Sequence, residues 1–392
     1  MAYIPYGRQD ISDEDIQAVV EVLKSDFLTQ GPVVPKFESL VAEICGAKYA
    51  TAVNSATSAL HIACLALGIG KDDLVWTSPN SFVASANCAV YCGAKIDFVD
   101  IDPRTYNLSA EKLEEKLINA KKIGKLPKLV IPVHFSGQPC DMEKIFSLSQ
   151  EYGFKIIEDA SHAIGAKYKN EPVGNCKYSD ITVFSFHPVK IITTGEGGMT
   201  LTNDKELQIK LYRLRSHGIV RDSREMTHPP DGPWYYQQIE LGYNYRLTDI
   251  QAALGLSQLN RLDQFIKRRH EIANIYRNLL IDKSIVLPYQ NPENYSSFHL
   301  FVIRIKTKEF KISHKQAFEQ LRNSGILVNL HYIPIYRQPF YSKFGFKLSD
   351  FPETEAYYSE AISLPMYPGL TETEVKEVVH RLTNPIGYQT LF

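Results

Sequence analysis

The stretch Phe154-Lys-Ile-Ile-Glu-Asp159-Ala-Ser-His162-Ala163 decides how the rest of the chain is read. A short apolar run ends in two acids and then small residues, which predicts a strand over 155–158 with Asp159 at its carboxyl end. In open α/β sheets ligands bind at that edge. A strand-terminal acid also serves as a helix cap or a magnesium ligand, so the motif alone marks a position and leaves its chemistry open.

Outward from this strand the text alternates. Short β-rich runs at 49–53, 74–77, 96–101, 129–135, 181–186 and 199–202 are separated by helical segments, several of which end near Gly68, Gly93 and Gly153. With the 155–158 strand they predict a mostly parallel seven-stranded sheet flanked by helices, an α/β fold. Before the sheet, Ser12 with Asp15 three residues later reads as a capped helix start, and a second helix carrying Phe37, Leu40, Val41 and Ile44 stops at Gly46. After the sheet, one long helix is expected from Thr248 towards Leu280. It is followed by strand-like 298–305, a helix over 313–323, strand-like 326–330 and two closing helices. The expected division is a large domain over 1–248 and a linking helix with a smaller C-terminal α/β domain over 249–392.

Composition narrows the classes of function. The 392 residues are 44% hydrophobic and 22% charged with a formal net charge of -1, which describes a globular protein and argues against nucleic acid as partner. The opening Met-Ala-Tyr-Ile-Pro-Tyr6 carries no basic leader, and no stretch of about 18 apolar residues occurs, so a cytoplasmic protein without membrane contact is expected. The six cysteines form no CxxC pair and are read as core residues, with no metal site.

Two more segments carry chemistry. Ser185-Phe-His187-Pro-Val-Lys190 follows a predicted strand and runs into Gly195-Glu-Gly-Gly198, which sets a lysine between apolar strands and a glycine-rich turn. A free lysine has a pKa of about 10.4, and burial or imine formation makes its amine a nucleophile and base near neutrality. An exposed loop lysine is the bland alternative, and Asp159 on the same sheet speaks against it. In Val53-Asn-Ser55-Ala-Thr57-Ser58-Ala-Leu60 a strand breaks into a helix through small hydroxyl residues, a natural phosphate cradle that is also an ordinary N-cap. An aspartate for a pyridinium nitrogen, a lysine for an aldehyde and a turn for a phosphate are together the parts needed to hold pyridoxal 5′-phosphate.

These three segments, with Gly242-Tyr-Asn244-Tyr-Arg246-Leu-Thr-Asp-Ile-Gln-Ala-Ala-Leu-Gly255, resemble the sugar aminotransferases of the DegT/DnrJ/EryC family essentially end to end. The resemblance implies a fold-type I enzyme working as a homodimer with shared active sites. It makes Lys190 the catalytic Schiff-base lysine and Asp159 the partner of the pyridinium nitrogen. It places His162 on the ring hydroxyl, where many relatives carry Gln, and assigns Thr57, Ser58 and Ser185 to the phosphate. Phe82 would stack on the ring, although a Phe in Pro79-Asn-Ser-Phe82 also reads as plain core. Asn244 would reach the phosphate from the partner subunit.

The same resemblance implies L-glutamate as amino donor and a nucleotide-linked keto sugar as acceptor. Residues expected to meet that sugar are Tyr6, Gln30, His187, Arg246, His331 and Tyr332, with Arg213, Arg215, His217 and Arg221 as candidates for its diphosphate. Gly232-Pro-Trp-Tyr-Tyr-Gln-Gln238, Thr29-Gln-Gly31 and Thr193-Thr194 are similar to the branch that aminates a UDP-linked 4-keto-6-deoxy-N-acetylhexosamine on the way to pseudaminic acid. Another UDP-, dTDP- or GDP-linked 4-keto sugar is the alternative. The family's dehydratase branch typically replaces the lysine with histidine, so Lys190 speaks against it, and the intact cofactor positions speak against a non-catalytic regulator.

Overall fold

A computed structural model describes residues 3–281, 283, 285–306 and 312–383. The chain opens with a two-residue strand, β1 (Ile4–Pro5), and two helices, α1 (Asp13–Leu23) and α2 (Val33–Cys45). Ser12 and Asp15 close a reciprocal capping box at the start of α1, and Gly46 ends α2 at φ 74°, where a side chain would be strained. The sheet and its helices follow: β2 (Tyr49–Val53), α3 (Ala56–Ala66), β3 (Leu74–Thr77), α4 (Ala84–Tyr91), β4 (Lys95–Phe98), α5 (Ala110–Lys122), β5 (Leu129–Ile131), α6 (Met142–Tyr152), β6 (Lys155–Asp159), β7 (Ile181–Ser185) and β8 (Gly198–Thr202).

These strands form one seven-stranded sheet in the order β2-β8-β7-β6-β5-β3-β4. Every pairing is parallel except those of β8, which runs antiparallel to both β2 and β7. Both faces are covered, and β7 and β8 are buried along their whole length, which is why they read as unbroken apolar runs. Two strands are shorter than expected. The ladder of β5 stops at Ile131 because Pro132 has no N–H to give, and the Val133 register resumes only as an isolated bridge to Asp159. The run at 96–101 pairs as a strand only over 95–98.

Beyond the sheet come α7 (Lys205–Arg215), α8 (Asp249–Leu259) and α9 (Leu262–Leu280). The single long helix expected from Thr248 is therefore two, broken at Asn260 and Arg261. At the break Arg261 turns its guanidinium onto Asp10 and Asp15, tying the joint to the N-terminal segment. A three-stranded sheet with β9 (Phe301–Ile305) at its centre and helix α10 (His314–Asn323) build a second core, along with β10 (Ile326–Leu327), β11 (Ala361–Leu364) and α11 (Glu372–Thr383). The strand expected from residue 298 begins at Phe301. Phe298 sits at φ 47°, and the N–H groups of Ser297 and Leu300 are drawn onto the carbonyls of Gly137 and Ser136. Strand 326–330 likewise forms a ladder only over Ile326–Leu327, with β1 as partner through Ile4↔Ile326 and Pro5↔Leu327, and Asn329 makes an isolated bridge to Ser363. Ile4 accordingly packs in the core of the C-terminal unit. The last residues of the expected C-terminal domain, 384–392, lie outside the described residues.

Candidate active site

The topology brings the ends of β2, β3, β5, β6 and β7 to one edge of the sheet. There a cavity of about 560 Å³ opens between the sheet and the C-terminal unit. It gathers Thr57, Phe82, Asp159, His162, Ser185, His187 and Lys190 from the sheet side, Tyr6 from the N-terminal segment, and His331 and Tyr332 from the C-terminal unit. Residues separated by more than half the chain thus face one space.

Lys190 follows β7, and burial pushes its amine down to about 8, with the Asp159 carboxylate opposing that shift. An amine so placed is partly neutral at physiological pH. The histidines near it are held uncharged. Burial pushes His331 down to about 3, helped by the Lys190 charge, and the same two causes depress His162 and His299 well below the usual imidazole range. Hydrogen bonds then settle the tautomer of His162. Its Nδ1 accepts from the Ser136 N–H at 3.2 Å, so the ring proton is on Nε2, which lies 3.1 Å from the Tyr332 hydroxyl. A neutral donor therefore stands in the cavity wall, facing the Tyr332 hydroxyl.

The turn between β2 and α3 has the form of an anion cradle. Ser55 is the N-cap: its Oγ accepts from the Ser58 N–H, and its carbonyl accepts from Ala59. The N–H groups of Ala56 and Thr57 and the Thr57 hydroxyl are left for a phosphate at the positive end of an eleven-residue helix. The Ser58 hydroxyl instead donates to Asn54 Oδ1 at 2.7 Å, and Ser58 does not line the cavity, so its part here is to hold the turn. Gly198 at the start of β8 presses on this turn. A Cβ there would meet the Ser55 carbonyl and the Ala56 nitrogen at 2.5 Å. Phe82 is 58% exposed, which removes the plain-core alternative and leaves its ring at the cavity.

Gln30, Asn244 and Arg246 stand outside this cavity in the single chain. Asn244 is exposed beside the Ser216 bridge, and Gln30 is exposed at φ 56°. Of the diphosphate candidates, Arg215 is buried and pairs with Glu38 and the Ala52 carbonyl, and Arg213 pairs with Glu225. Both are therefore engaged in holding the fold. Arg221 lies over the Tyr236 ring at 5.3 Å, and His217 hydrogen-bonds through its backbone to Tyr243 and Gln238. The cavity also takes in Ser81, Ser85, Ser161, Glu196, His299 and Asn329, which the sequence reading did not single out. The serines carried a signal in retrospect, since Ser81 stands four residues before Ser85 in the bend that leads into α4 and Ser161 stands two residues past Asp159. His299 carried none, being a histidine in an apolar run.

The residues present fit pyridoxal 5′-phosphate on structural grounds. A carboxylate, a depressed amine, a neutral donor and an anion cradle line one cavity, and among the described residues no cluster of three or more His, Cys, Asp or Glu could hold a metal instead. Among the described residues no helix is long and apolar enough to cross a membrane. The UDP-4-amino-4,6-dideoxy-N-acetyl-beta-L-altrosamine transaminase of Campylobacter jejuni is 39% identical over 381 residues, 96% of this chain and 95% of that protein. Among solved structures, Helicobacter pylori PseC, an aminotransferase of pseudaminic acid biosynthesis, superposes with a TM-score of 0.89 at 32% identity, covering 98% of this chain and 99% of that one. A Streptococcus pneumoniae protein assigned as a sugar aminotransferase, solved in its PMP form, gives a TM-score of 0.88 at 27% identity over 98% of this chain and 99% of that one. Residues 9–383 match the DegT/DnrJ/EryC1/StrS aminotransferase family, and to that family of pyridoxal-phosphate-dependent sugar aminotransferases this chain belongs.

Proposed function

We propose that the chain aminates a nucleotide-linked 4-keto-6-deoxy sugar, UDP-2-acetamido-2,6-dideoxy-β-L-arabino-hex-4-ulose, with L-glutamate as amino donor, as a step towards pseudaminic acid. The observation that carries the reaction is that Lys190 and Asp159 line one cavity close enough for the carboxylate to bias the amine. The similarity to the Campylobacter and Helicobacter proteins supports the choice of sugar.

Pyridoxal 5′-phosphate supplies an aldehyde that carries the amino group and a ring that accepts electrons when a proton leaves the substrate carbon. Asp159 keeps a proton on the ring nitrogen. With the cofactor bound, the His162 Nε2 hydrogen, which here faces the Tyr332 hydroxyl, would be offered to the ring hydroxyl, while Thr57, Ser185 and the turn fixed by Ser58 would hold the phosphate. Phe82 offers its ring for stacking. Lys190 Nζ is the catalytic group: as a neutral amine it would take the proton from the donor's α-carbon in the first half-reaction and deliver a proton to the sugar carbon in the second. Tyr6, His187, His331 and Tyr332 line the sugar side, and Gln30 and Arg246 would reach the sugar from outside this chain's own cavity. Asn244, exposed in one chain, belongs to the site of a second copy, so the working unit is a homodimer. Residues up to 248, apart from the β1 strand that pairs with the C-terminal unit, form the cofactor-binding domain, and the linking helices and the small domain follow from 249.

Purified protein should be yellow, L-glutamate should bleach it, and Lys190→Ala should abolish the exchange. A Lys190→Ala protein that still transaminates sinks the mechanism. Amine formation against a panel of UDP-, dTDP- and GDP-linked 4-keto sugars reads the substrate, and a clear preference for a dTDP or GDP sugar would replace the one named here.

A further inference from the structure

Asp159 is 4% exposed, and its carboxylate is held by two serines from different parts of the fold. Oδ1 accepts the Ser161 hydroxyl at 2.5 Å and the Ser161 N–H at 3.2 Å, both from its own chain end. Oδ2 accepts the Ser85 hydroxyl at 2.6 Å, from the first turn of α4. Ser81 Oγ lies 2.7 Å from Ser85 Oγ. Proton directions in this chain are forced. A carboxylate only accepts and a serine has one hydrogen to give, so Ser85 spends its hydrogen on Asp159, and the hydrogen between the serines must come from Ser81. Each donation polarises the next hydroxyl, so Ser81 strengthens the bond that Ser85 makes.

A carboxylate offers about four acceptor positions. Three are filled, two on Oδ1 and one on Oδ2. The open position is the second lone pair of Oδ2, the oxygen that Ser85 anchors. Ser81 and Ser85 are 3% and 1% exposed, so water does not compete for these hydroxyls.

We propose that Ser85, backed by Ser81, is a positioning residue for the cofactor. It fixes the Asp159 carboxylate so that Oδ2 presents its remaining lone pair to the ring nitrogen, while Ser161 ties Oδ1 back. This rests on the assignment of Asp159 to the ring nitrogen. The prediction is specific to that nitrogen: removing Ser85 weakens the grip on a pyridine ring and leaves the grip on the phosphate and the aldehyde untouched.

The test is equilibrium binding of two probes to the full-length apo-protein: pyridoxal 5′-phosphate, and its carbocyclic analogue in which C–H replaces the ring nitrogen. Ser85→Ala should lower affinity for the first about tenfold and change the second little, the size expected for one hydrogen bond to a charged group. Ser81→Ala should show a smaller loss of the same kind, and Ser85→Thr, which keeps the hydroxyl, should restore the difference. Asp159→Asn is the reference. If it abolishes the preference for the nitrogen ring and Ser85→Ala leaves that preference intact, the serine proposal is overturned and the Asp159 assignment stands. If Asp159→Asn also leaves it intact, both fall. Equal losses for both probes in Ser85→Ala, with a lowered apo-protein melting temperature, would assign Ser85 to packing and overturn the proposal.

Discussion

At Lys190 a single side chain shows how burial sets reactivity. Its amine, ordinarily protonated up to about 10.4, is pushed down to about 8 because the cavity withholds water from the charged form. The neutral form is the nucleophile, so the rate at which apo-protein takes up pyridoxal 5′-phosphate, followed by its absorbance, should rise with pH and level off above about 8. A rate still climbing steeply at pH 10 would mean that the amine is not desolvated. Much at this scale was legible beforehand. Asp159 stands at a strand end beside small residues and Lys190 in the loop between a strand and a glycine-rich turn, where an acid or an amine has no packing role, and that made them conspicuous. Ser85 and His299 were not, because a serine on a helix or a histidine among apolar residues has ordinary structural uses, and only the third dimension shows what it faces.

Between the residue and the domain stands the turn from β2 into α3, whose shape depends on a strand far along the chain. Gly198 has no side chain, so β8 can lie against Ser55 and Ala56. Gly198→Ala forces a methyl onto backbone atoms and must move the turn that supplies the phosphate N–H groups. Its expected result is a loss of cofactor affinity of at least tenfold with a cost of roughly 1–3 kcal/mol in stability, measured by cofactor titration and chemical denaturation; unchanged cofactor affinity would show that the turn is held by other means. Strand and helix periodicity revealed nearly every element of the large sheet, because buried parallel strands are plain apolar runs. It could not reveal where hydrogen bonding stops. Pro132 ends one ladder, a carbonyl pair at Ser136 and Gly137 pulls residues 297–300 out of another, and Arg261 breaks a helix whose apolar pattern runs straight through.

For the whole molecule the proposal is that each active site needs two copies. Asn244 is exposed and outside its own cavity, and Trp234 and Leu241 near it in sequence are each 75% exposed. If Asn244 serves the neighbouring site, mixing inactive Lys190→Ala subunits with inactive Asn244→Ala subunits rebuilds one intact site in each mixed dimer. Activity should return to roughly a quarter of wild type after subunit exchange; no recovery, with mixed dimers present, would place Asn244 in its own chain's site. The pairing of β1 with β10 has a consequence in time. Residues 4 and 5 leave the ribosome more than 300 residues before their strand partner at 326 and 327 is translated. Tyr6, one residue beyond, cannot take its place in the cavity wall until then. A nascent chain that has already folded its seven-stranded sheet still lacks one side of its pocket, and that pocket is sealed only once residues 326 and 327 have been made.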